Sequence, residues 1–469
     1  MGVKRIIHWF RRDLRLHDNT ALFEACRQGE HVIPVFIFED AFRTGPDVGA
    51  ARLLFLLRSL DELRNNLRAL GSGLIVRFGK SETEIPKLVR ELKAEAVFAN
   101  LRYEPYAQRR DARLFNTLNE MGVGFETFKD SVVWHELEVL TQMGKPFTVF
   151  TPYSKAWKAR KIPPPWPEVE SARLKLPEKI RSEELPLDPA AFGFPCTQDI
   201  LPAGESVALK QLDDFLHARV FSYATSRDRA DQDGTSQLSA HFRAGTIGIR
   251  HVLLKLAAAR KRAPTPAAAA SCDVFLNELI WREFYLQVLH NFPHVTRGAF
   301  RPDYDKLEWS GTDAQFAAWC EGRTGFPIVD AAMRCLNATG NMHNRLRMIV
   351  AMFLTKDLLI NWQRGERYFM QQLTDGDMAA NNGGWQWSAG TGTDAAPYFR
   401  IFNPTSQAAK CDPDGAFVRR WIPELARMPD DSIHEPWEEP LLAGKYPPRI
   451  VLHEEQRLKT LAMFAKLKG

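Results

Sequence analysis

Short apolar runs alternate with amphipathic stretches over the first 130 residues, whereas only helical spacing is found from about residue 201 onward. The runs are rich in β-branched residues, and short buried strands separated by helices predict a parallel, doubly wound sheet. The five predicted strands are Arg5–Phe10, His31–Phe38, Gly73–Phe78, Ala96–Leu101 and Val123–Phe128. The sequence therefore predicts an α/β domain followed by an all-α domain.

A long proline-rich segment lies between these two patterns. The run PPPWP at 163–167 cannot be helical, because proline lacks the amide hydrogen and restricts the residue before it. We therefore predict three parts: an α/β domain at 1–130, a linker at 131–200 that wraps over the surface with some structure of its own, and a helical domain at 201–469.

Composition excludes several classes of protein. Hydrophobic residues make up 45% and charged residues 25% of the 469 residues, which is typical of globular proteins and not of disordered chains or coiled coils. No apolar run reaches the roughly 20 residues that a membrane-spanning helix needs, and no signal-peptide pattern is present. The 6 cysteines form no CxxC pair, which predicts thiols in a reducing cytoplasm and no metal site.

The loop after the first predicted strand lacks the GxGxxG fingerprint of dinucleotide-binding domains. The sequence WFRRDLR stands there instead, at 9–15, so an ordinary dinucleotide-binding domain is disfavoured. The formal net charge of +5 is spread over the chain, and any interaction with nucleic acid must therefore depend on local patches.

One face of the predicted helix at 277–285 carries a carboxylate, an indole and a guanidinium. By helical spacing, the residues on this face are Glu278, Trp281, Arg282 and Tyr285. Such a face is not a core face. It is either a solvated helix surface or the wall of a site that stacks a planar ligand and bonds its edge.

The helical stretch at 340–362 has a second mixed face. The residues that recur on it are Asn341, Asn344, Met348 and Met352, whereas Arg345 and Arg347 point elsewhere. Methionine on a helix usually fills a core, but asparagine is rarely buried without partners. Asn344 with Met348 therefore indicates a half-polar cavity lining.

Two further segments have the composition of binding sites. The stretch at 375–404 combines five glycines with polar residues, Trp385 and Trp387, which predicts a loop whose backbone approaches a ligand. The hydroxyl-rich stretch Thr235–Ser239 precedes a helical run, as at a helix N-terminus. It is either a simple cap or a phosphate site.

Six stretches together make the sequence similar to one family. They are HWFRRDLRLHDN at 8–19, DGTSQLS at 233–239, NELIWREFY at 277–285, GFPIVDAAMR at 325–334, MHNRLRM at 342–348 and GERYFMQQLTDGDMAANNGGWQWSAGTGTDAAPYFRIFNP at 365–404. In this order they resemble the photolyase/cryptochrome family, most closely the bacterial class I photolyases that act on cyclobutane pyrimidine dimers.

The resemblance implies an N-terminal α/β antenna domain, a linker and a C-terminal helical domain that holds FAD. The residues that it implies near the FAD phosphates are Tyr223, Arg227, Thr235, Ser236, Gln237, Leu238 and Ser239. It also implies flavin and ribose contacts from Asp375 and Asp377, with Arg347 paired to Asp375. Asn381 would face the flavin N5. A neutral amide does not readily donate a proton there, which favours the anionic reduced flavin.

The resemblance further implies a pocket for a dimer flipped out of DNA. The residues that would form it are Glu278, Trp281, Asn344, Met348 and Trp387. The two indoles would supply flat walls, and Glu278 and Asn344 would bond the base edges. A protonated Glu278 would also stabilise the radical anion of the dimer. Asn344 and Met348 stand where photolyases for (6-4) lesions place a histidine pair, which favours the cyclobutane dimer.

Electron-transfer and DNA-contact residues are implied as well. Trp309, Trp362 and Trp385 match the tryptophan chain of the family, although each is also a plausible core indole. Arg345 and Arg400 match motif positions and are candidates for phosphate contacts, and Lys410 is added from its charge alone.

Two positions depart from the family pattern. Asn341 stands where relatives have tryptophan or tyrosine, with an effect that the sequence leaves open. The run YEPY at 103–106 replaces the Asn-Glu pair of relatives that use a folate antenna. The second chromophore therefore stays open between a deazaflavin, FMN or FAD, and methenyltetrahydrofolate.

The expected function is light-driven splitting of cyclobutane pyrimidine dimers in DNA by electron transfer from excited FADH−. The expected protein is a monomeric carbon–carbon lyase of the bacterial cytoplasm that acts on UV-damaged DNA without a metal or a membrane. The alternatives are a cryptochrome-type light sensor and a flavin oxidoreductase. The second alternative lacks a nicotinamide-binding motif.

Overall fold

A computed structural model describes residues 4–467, and the first third of these residues builds a five-stranded parallel sheet. The strands are β1 (Arg5–Phe10), β2 (His31–Phe38), β3 (Ile75–Phe78), β4 (Ala96–Asn100) and β5 (Gly124–Phe128). Their order is β3-β2-β1-β4-β5, which confirms the doubly wound sheet. The order in which strands are added to the sheet reverses between β1 and β4, and ligands of such sheets bind at this point, beyond the carboxyl ends of the strands.

Helices cover both faces of the sheet because alternate residues of β1 are apolar on opposite sides. The helices are α1 (Thr20–Gln28), α2 (Ala41–Thr44), α3 (Ala50–Ala69), α4 (Ser81–Leu92) and α5 (Pro105–Glu120). Ile6 packs with residues of α1 and α3, whereas Ile7 packs with residues of α4 and α5. Burial of both faces explains the nearly continuous apolar strands.

Between Phe128 and Glu205 the only α-helix is α6 (Phe150–Lys158), accompanied by the short 3-10 turns Ser171–Arg173 and Pro189–Phe192. The run at 163–167 is not helical, as its prolines predict. The exact boundaries 1–130, 131–200 and 201–469 stay predictions, and residues 1–3 and 468–469 lie outside the described part of the chain.

The remaining chain is helical, as its spacing predicts. Its helices are α7 (Glu205–His217), α8 (Tyr223–Ser226), α9 (Ser239–Ala244), α10 (Ile249–Lys261), α11 (Pro266–Asn291), α12 (Asp313–Glu321), α13 (Pro327–Thr339), α14 (Asn344–Met352), α15 (Trp362–Gln372), α16 (Met378–Ala389), α17 (Pro404–Cys411), α18 (Ala416–Trp421), α19 (Pro440–Ala443) and α20 (His453–Ala465). A π-helical turn, Phe353–Asp357, follows α14, and 3-10 turns lie at Arg219–Ser222, Pro293–Thr296, Pro302–Lys306 and Pro423–Leu425. Within residues 4–467, none of the helices is both long and apolar enough to cross a membrane.

Two sequence expectations about local structure are wrong. The glycine-rich stretch predicted as a loop contains the helix α16, which begins at an Asp377 cap accepting from Ala379 N and Ala380 N. The helix predicted over 340–362 begins only at Asn344, because the chain turns at Gly340 with a φ of 66°. Asn341 therefore precedes the helix instead of lying on its face.

Buried ion pairs join the sheet domain to the helical half. Arg15 donates to both carboxylate oxygens of Asp130 at 2.7 and 2.8 Å, and Arg250 reaches Asp18 at 2.8 Å and Asp130 at 3.2 Å. Burial opposes ionisation of Asp130, but the two guanidiniums hold its pKa at about 2. This network fixes the two halves against each other around the site.

Candidate functional site

A cavity of about 480 Å³ opens in the helical half, with walls from α11, α14 and α16. It brings together most of the site residues predicted from the sequence. These are Tyr223, Arg227, Ser236, Ser239, Glu278, Trp281, Asn344, Arg347, Met348, Asp375, Asp377, Asn381, Trp385 and Trp387. We call this space the first cavity.

The mixed face of α11 forms one wall. This face lies at a cavity and not at an open helix surface, since its four residues all line the first cavity: Glu278, Trp281, Arg282 and Tyr285. Arg227 donates to Glu278 at 2.6 Å, so the carboxyl group has a guanidinium partner beside the cavity. The role implied for a protonated Glu278 stays a prediction.

Sequence reasoning missed the residue that holds Trp281 in place. Phe150, at the start of α6, stacks on the indole with a centroid distance of 3.7 Å and an interplanar angle of 5°. Phe150 N in turn donates to Asp394 at 2.9 Å. No local pattern reveals this pair, because the two rings are 131 positions apart in the sequence.

The wall from α14 is more polar than its predicted stripe. Asn344 and Met348 line the first cavity as expected, but Met352 is fully buried in the core. Arg347, which helical spacing places on another face, also lines the cavity. Its long side chain reaches Asp375 at 2.9 and 3.1 Å, the ion pair that the family resemblance implies.

Two carboxylates lie where the chain enters α16. Burial opposes ionisation of Asp375, but Arg347 holds its pKa below the ordinary value, and Ser239 also bonds to it. Asp377 caps α16 and pairs with Arg12 of the sheet domain at 3.3 Å. Arg347 thus keeps the Asp375 carboxylate charged beside the cavity.

Helix α16 approaches α11 closely because of one glycine. A Cβ built at Gly383 would overlap the ring of Tyr285, whereas one at Gly384 would meet nothing within 4 Å and would enter the first cavity. Asn381, two residues earlier, also lines the cavity, and its Nδ2 donates to the main-chain oxygen of Glu366 at 2.9 Å.

The predicted phosphate segment is only partly at the cavity. Ser236 and Ser239 line it, but Thr235, Gln237 and Leu238 do not. Gln237 has a φ of 52° and its side chain donates to Asp233 at 2.6 Å, and Leu238 lies in the hydrophobic core. The cofactor contacts of these three residues stay predictions.

The three predicted electron-transfer tryptophans share one hydrophobic core. Trp362 and Trp385 are buried in it and Trp309 packs against it, while Trp385 also lines the first cavity. The Trp385 ring contacts Phe369 at a centroid distance of 5.0 Å. The packing is that of core indoles, and it leaves the predicted electron-transfer role open.

The predicted DNA-contact residues lie outside the cavity lining. Arg345 pairs with Asp228 at 2.6 Å, and Arg400 and Lys410 are exposed. The guanidinium of Arg400 lies over the Phe402 ring at 5.9 Å. All three cations are accessible at the surface, as a phosphate contact requires.

A second cavity of about 470 Å³ lies at the carboxyl ends of β1 and β2. Its lining includes Glu104 and Tyr106 from the run YEPY at 103–106, together with Arg12 and Arg243. Arg243 lines both cavities, so the two spaces adjoin at this residue. Sequence reasoning missed Arg243, which carries no motif signal.

Positive charge is concentrated between the two cavities. Burial and the neighbouring guanidiniums of Arg102 and Arg243 lower the pKa of Arg12 well below its ordinary value. Burial and Arg52 likewise lower the pKa of Arg243, to about 9. An anionic group in either cavity would relieve this repulsion.

The chain has an α/β domain joined to a helical domain, and the helical domain contains a polar cavity with tryptophan walls. This architecture is that of a two-domain cofactor-binding protein. Comparison with family models identifies the family. A model for DNA photolyase matches residues 6–170, and one for the FAD binding domain of DNA photolyase matches residues 275–466. The chain therefore belongs to the photolyase/cryptochrome family.

Relatives match over nearly the whole chain. The deoxyribodipyrimidine photo-lyase of Vibrio cholerae is 40% identical over 98% of this chain and 99% of its own length, and that of Escherichia coli is 41% identical over 98% of each. These values extend the similarity well beyond the quoted motifs.

Solved structures are similar in both halves. A bacterial class III photolyase from Agrobacterium tumefaciens has a TM-score of 0.92 at 35% identity, covering 100% of this chain and 98% of its own. An archaeal photolyase from Sulfolobus tokodaii, solved with two FAD molecules, has a TM-score of 0.85 at 32% identity, covering 98% and 100%. A Synechocystis cryptochrome has a TM-score of 0.89 at 28% identity, covering 99% and 100%. Class I membership stays a prediction.

Proposed function

We propose that this protein is a deoxyribodipyrimidine photolyase that splits cyclobutane pyrimidine dimers in DNA under blue or near-UV light. The observation that carries the proposal is the first cavity. Its lining combines tryptophan rings with the hydroxyl, carboxylate and guanidinium groups that suit a flavin cofactor. Relatives at about 40% identity over nearly full length bear the same enzyme name. The protein is therefore a lyase that uses DNA containing pyrimidine dimers as its substrate.

The first cavity fits FAD by the chemistry of its lining. Ser236, Ser239 and Arg227 offer hydroxyl and guanidinium donors to a diphosphate, and Gly384 leaves room where a side chain would protrude. Asp375 and Arg347 offer an acceptor and a donor to the ring edge. When bound in its reduced form, FAD would supply the electron that light transfers to the dimer.

The chain itself provides the slot for the flipped bases. Trp281, held flat by Phe150, and Trp387 offer apolar faces for stacking. Glu278, beside Arg227, offers an acceptor to a pyrimidine N–H, and Asn344 offers both a donor and an acceptor. Met348 adds an apolar side chain to the same lining.

Electron supply and DNA attachment are assigned to residues outside the slot. Trp385, Trp362 and Trp309 would refill an oxidised flavin from the surface through their shared core. Arg345 and Arg400, with Lys410, would contact phosphates and give affinity without sequence preference.

The second cavity is the candidate site of the antenna chromophore. It lies at the sheet edge where doubly wound folds bind ligands, and the Sulfolobus relative was solved with a second FAD. The surplus of buried guanidinium groups favours an anionic chromophore, which a deazaflavin, FMN or FAD, and a folate would all satisfy.

We also propose an oligomeric state, a location and domain boundaries. The protein is proposed to be a monomer of the bacterial cytoplasm. Its proposed parts are the antenna domain at 1–130, the linker at 131–200 and the FAD and lesion domain at 201–469. The relatives that support it are mainly bacterial.

The decisive experiment mixes the purified, reduced protein with dimer-containing DNA under blue light and in darkness. We expect pyrimidine absorbance to return only under light. Failure of the absorbance to return under light, with the flavin kept reduced, would overturn the proposal and favour a light sensor, the alternative raised by the cryptochrome relative.

A further inference from the structure

The residue whose main chain supports Asn381 also carries a carboxyl group, and the mechanism above does not use that group. Glu366, on α15, supports two neighbouring amides of α16. Its main-chain oxygen accepts from Asn381 at 2.9 Å, and its Oε1 accepts from Asn382 at 2.9 Å. Asn382 also donates to Val295 O at 2.9 Å, so its amide is held from two directions.

Glu366 stands apart from the other carboxylates near the first cavity. Asp375, Asp377 and Glu278 each have a guanidinium partner within 3.3 Å. Among the ion pairs of residues 4–467, none includes Glu366. Burial raises its pKa to about 7, although Asn382 opposes this shift. The side chain is still partly exposed, so water can deliver a proton.

Two charged groups act on the pKa of Glu366 in opposite directions. Asp47, before α3, raises its pKa further and Arg367, its own neighbour, lowers it. On α16, the groups that contact Glu366 are the two neutral amides of Asn381 and Asn382.

We propose that Glu366 takes up a proton from solvent when the flavin in the first cavity is reduced. The reason is electrostatic: a reduced flavin in this cavity, which Asn381 lines, would be an anion, and an added negative charge favours the neutral form of a nearby carboxyl. By linkage, that proton uptake also makes reduction easier. The inference rests on the proposed function, since it requires FAD in this cavity.

The step balances in electrons and protons. Two electrons and one proton convert oxidised flavin to the anionic reduced form. In the pH range between the two pKa values of Glu366, a second proton moves from water to its carboxylate. The slope of the midpoint potential against pH therefore doubles in that range, by about 30 mV per pH unit for each extra proton per two electrons.

The test is a spectroelectrochemical titration of the FAD-loaded protein from about pH 6 to about pH 9. In the unmodified protein we expect the steeper slope to begin near neutrality. Glu366→Gln keeps an oxygen acceptor for Asn382 but cannot take a proton, and it should show the single-proton slope throughout. The control Asp357→Asn removes another buried carboxyl, whose pKa burial raises to about 6, and should keep the unmodified profile.

A second readout separates proton uptake from a purely structural role. The infrared difference spectrum of flavin reduction should contain a protonated-carboxyl band that is absent in Glu366→Gln. Equal slopes in Glu366→Gln and the unmodified protein, or a retained band, would overturn the inference while leaving the repair function standing. A protein that holds no FAD would overturn both.

Discussion

Single side chains in the first cavity act as pairs. Arg227 with Glu278, Arg347 with Asp375, and Phe150 with Trp281 each fix a group that would otherwise rotate freely. Fixing them before the substrate arrives removes an entropic cost from binding. The motif residues were visible in the sequence, but Phe150 and Arg243 were not, because their partners are distant along the chain.

Glu278→Ala tests the lesion wall. We expect the yield of dimer splitting to fall about tenfold, on the order of 1.5 kcal/mol for a lost charged hydrogen bond. FAD content should change much less, since Glu278 belongs to the substrate side. The measurements are repaired dimers per absorbed photon and flavin absorbance per protein. Equal losses in both would contradict this assignment.

Trp385→Phe tests the electron-supply role. Photoreduction of oxidised FAD should slow at least tenfold. Repair by the chemically reduced protein should be unchanged, because no tryptophan electron is then needed. Flash absorption and the repair assay give the two rates, and loss of both activities would refute the separation of roles.

At the scale of helices, α16 determines the geometry of the site. The glycines of this stretch predicted a loop. In the structure, Gly383 instead allows close packing against Tyr285, and Asp377 caps the start of the helix. Glycine marks both turns and close helix contacts, so sequence alone does not distinguish them. By contrast, the face of α11 was predictable, because the spacing i, i+3, i+4, i+7 places all four side chains on the same side of a helix.

Gly383→Ala tests this packing. The added methyl group would meet the Tyr285 ring, and we expect a loss of about 1–3 kcal/mol in the free energy of unfolding together with lower FAD retention. Gly384→Ala is the matched control for stability alone, because its Cβ meets nothing within 4 Å, extends into the cavity and belongs to a residue type that favours helix. Denaturant titration of both variants measures the difference, and equal stabilities would show that the helices are not in contact here.

At the scale of the whole molecule, the sheet domain and the helical half meet through buried charges. The parallel, doubly wound sheet followed from the alternating pattern, but the Arg15–Asp130–Arg250 network did not, because no local motif links positions so far apart. The two cavities adjoin at Arg243, which belongs to a group of buried arginines between them. The two candidate chromophore sites are therefore neighbours within one framework.

Asp130→Asn tests the network. Leaving Arg15 and Arg250 without their carboxylate should cost about 3–5 kcal/mol of unfolding free energy. The pKa of Asp130, about 2, lies below its ordinary value of 3.8, so its contribution is complete above that value and is lost as the pH falls toward 2. The variant should lack this acid-dependent loss.

The control for Asp130→Asn is Asp273→Asn, which breaks an exposed pair with Arg260. It should leave the denaturation midpoint and the acid profile unchanged. If Asp130→Asn behaved in the same way, the buried network would not hold the halves together.

The central claim is that one cavity holds the flavin and the flipped dimer in contact. The most direct measurement is the fluorescence lifetime of the reduced flavin with dimer-containing DNA and with the same DNA undamaged. Electron transfer to an adjacent dimer should shorten the lifetime only with the damaged strand. An equal lifetime with both DNAs, at concentrations where the damaged DNA is bound, would contradict the claim.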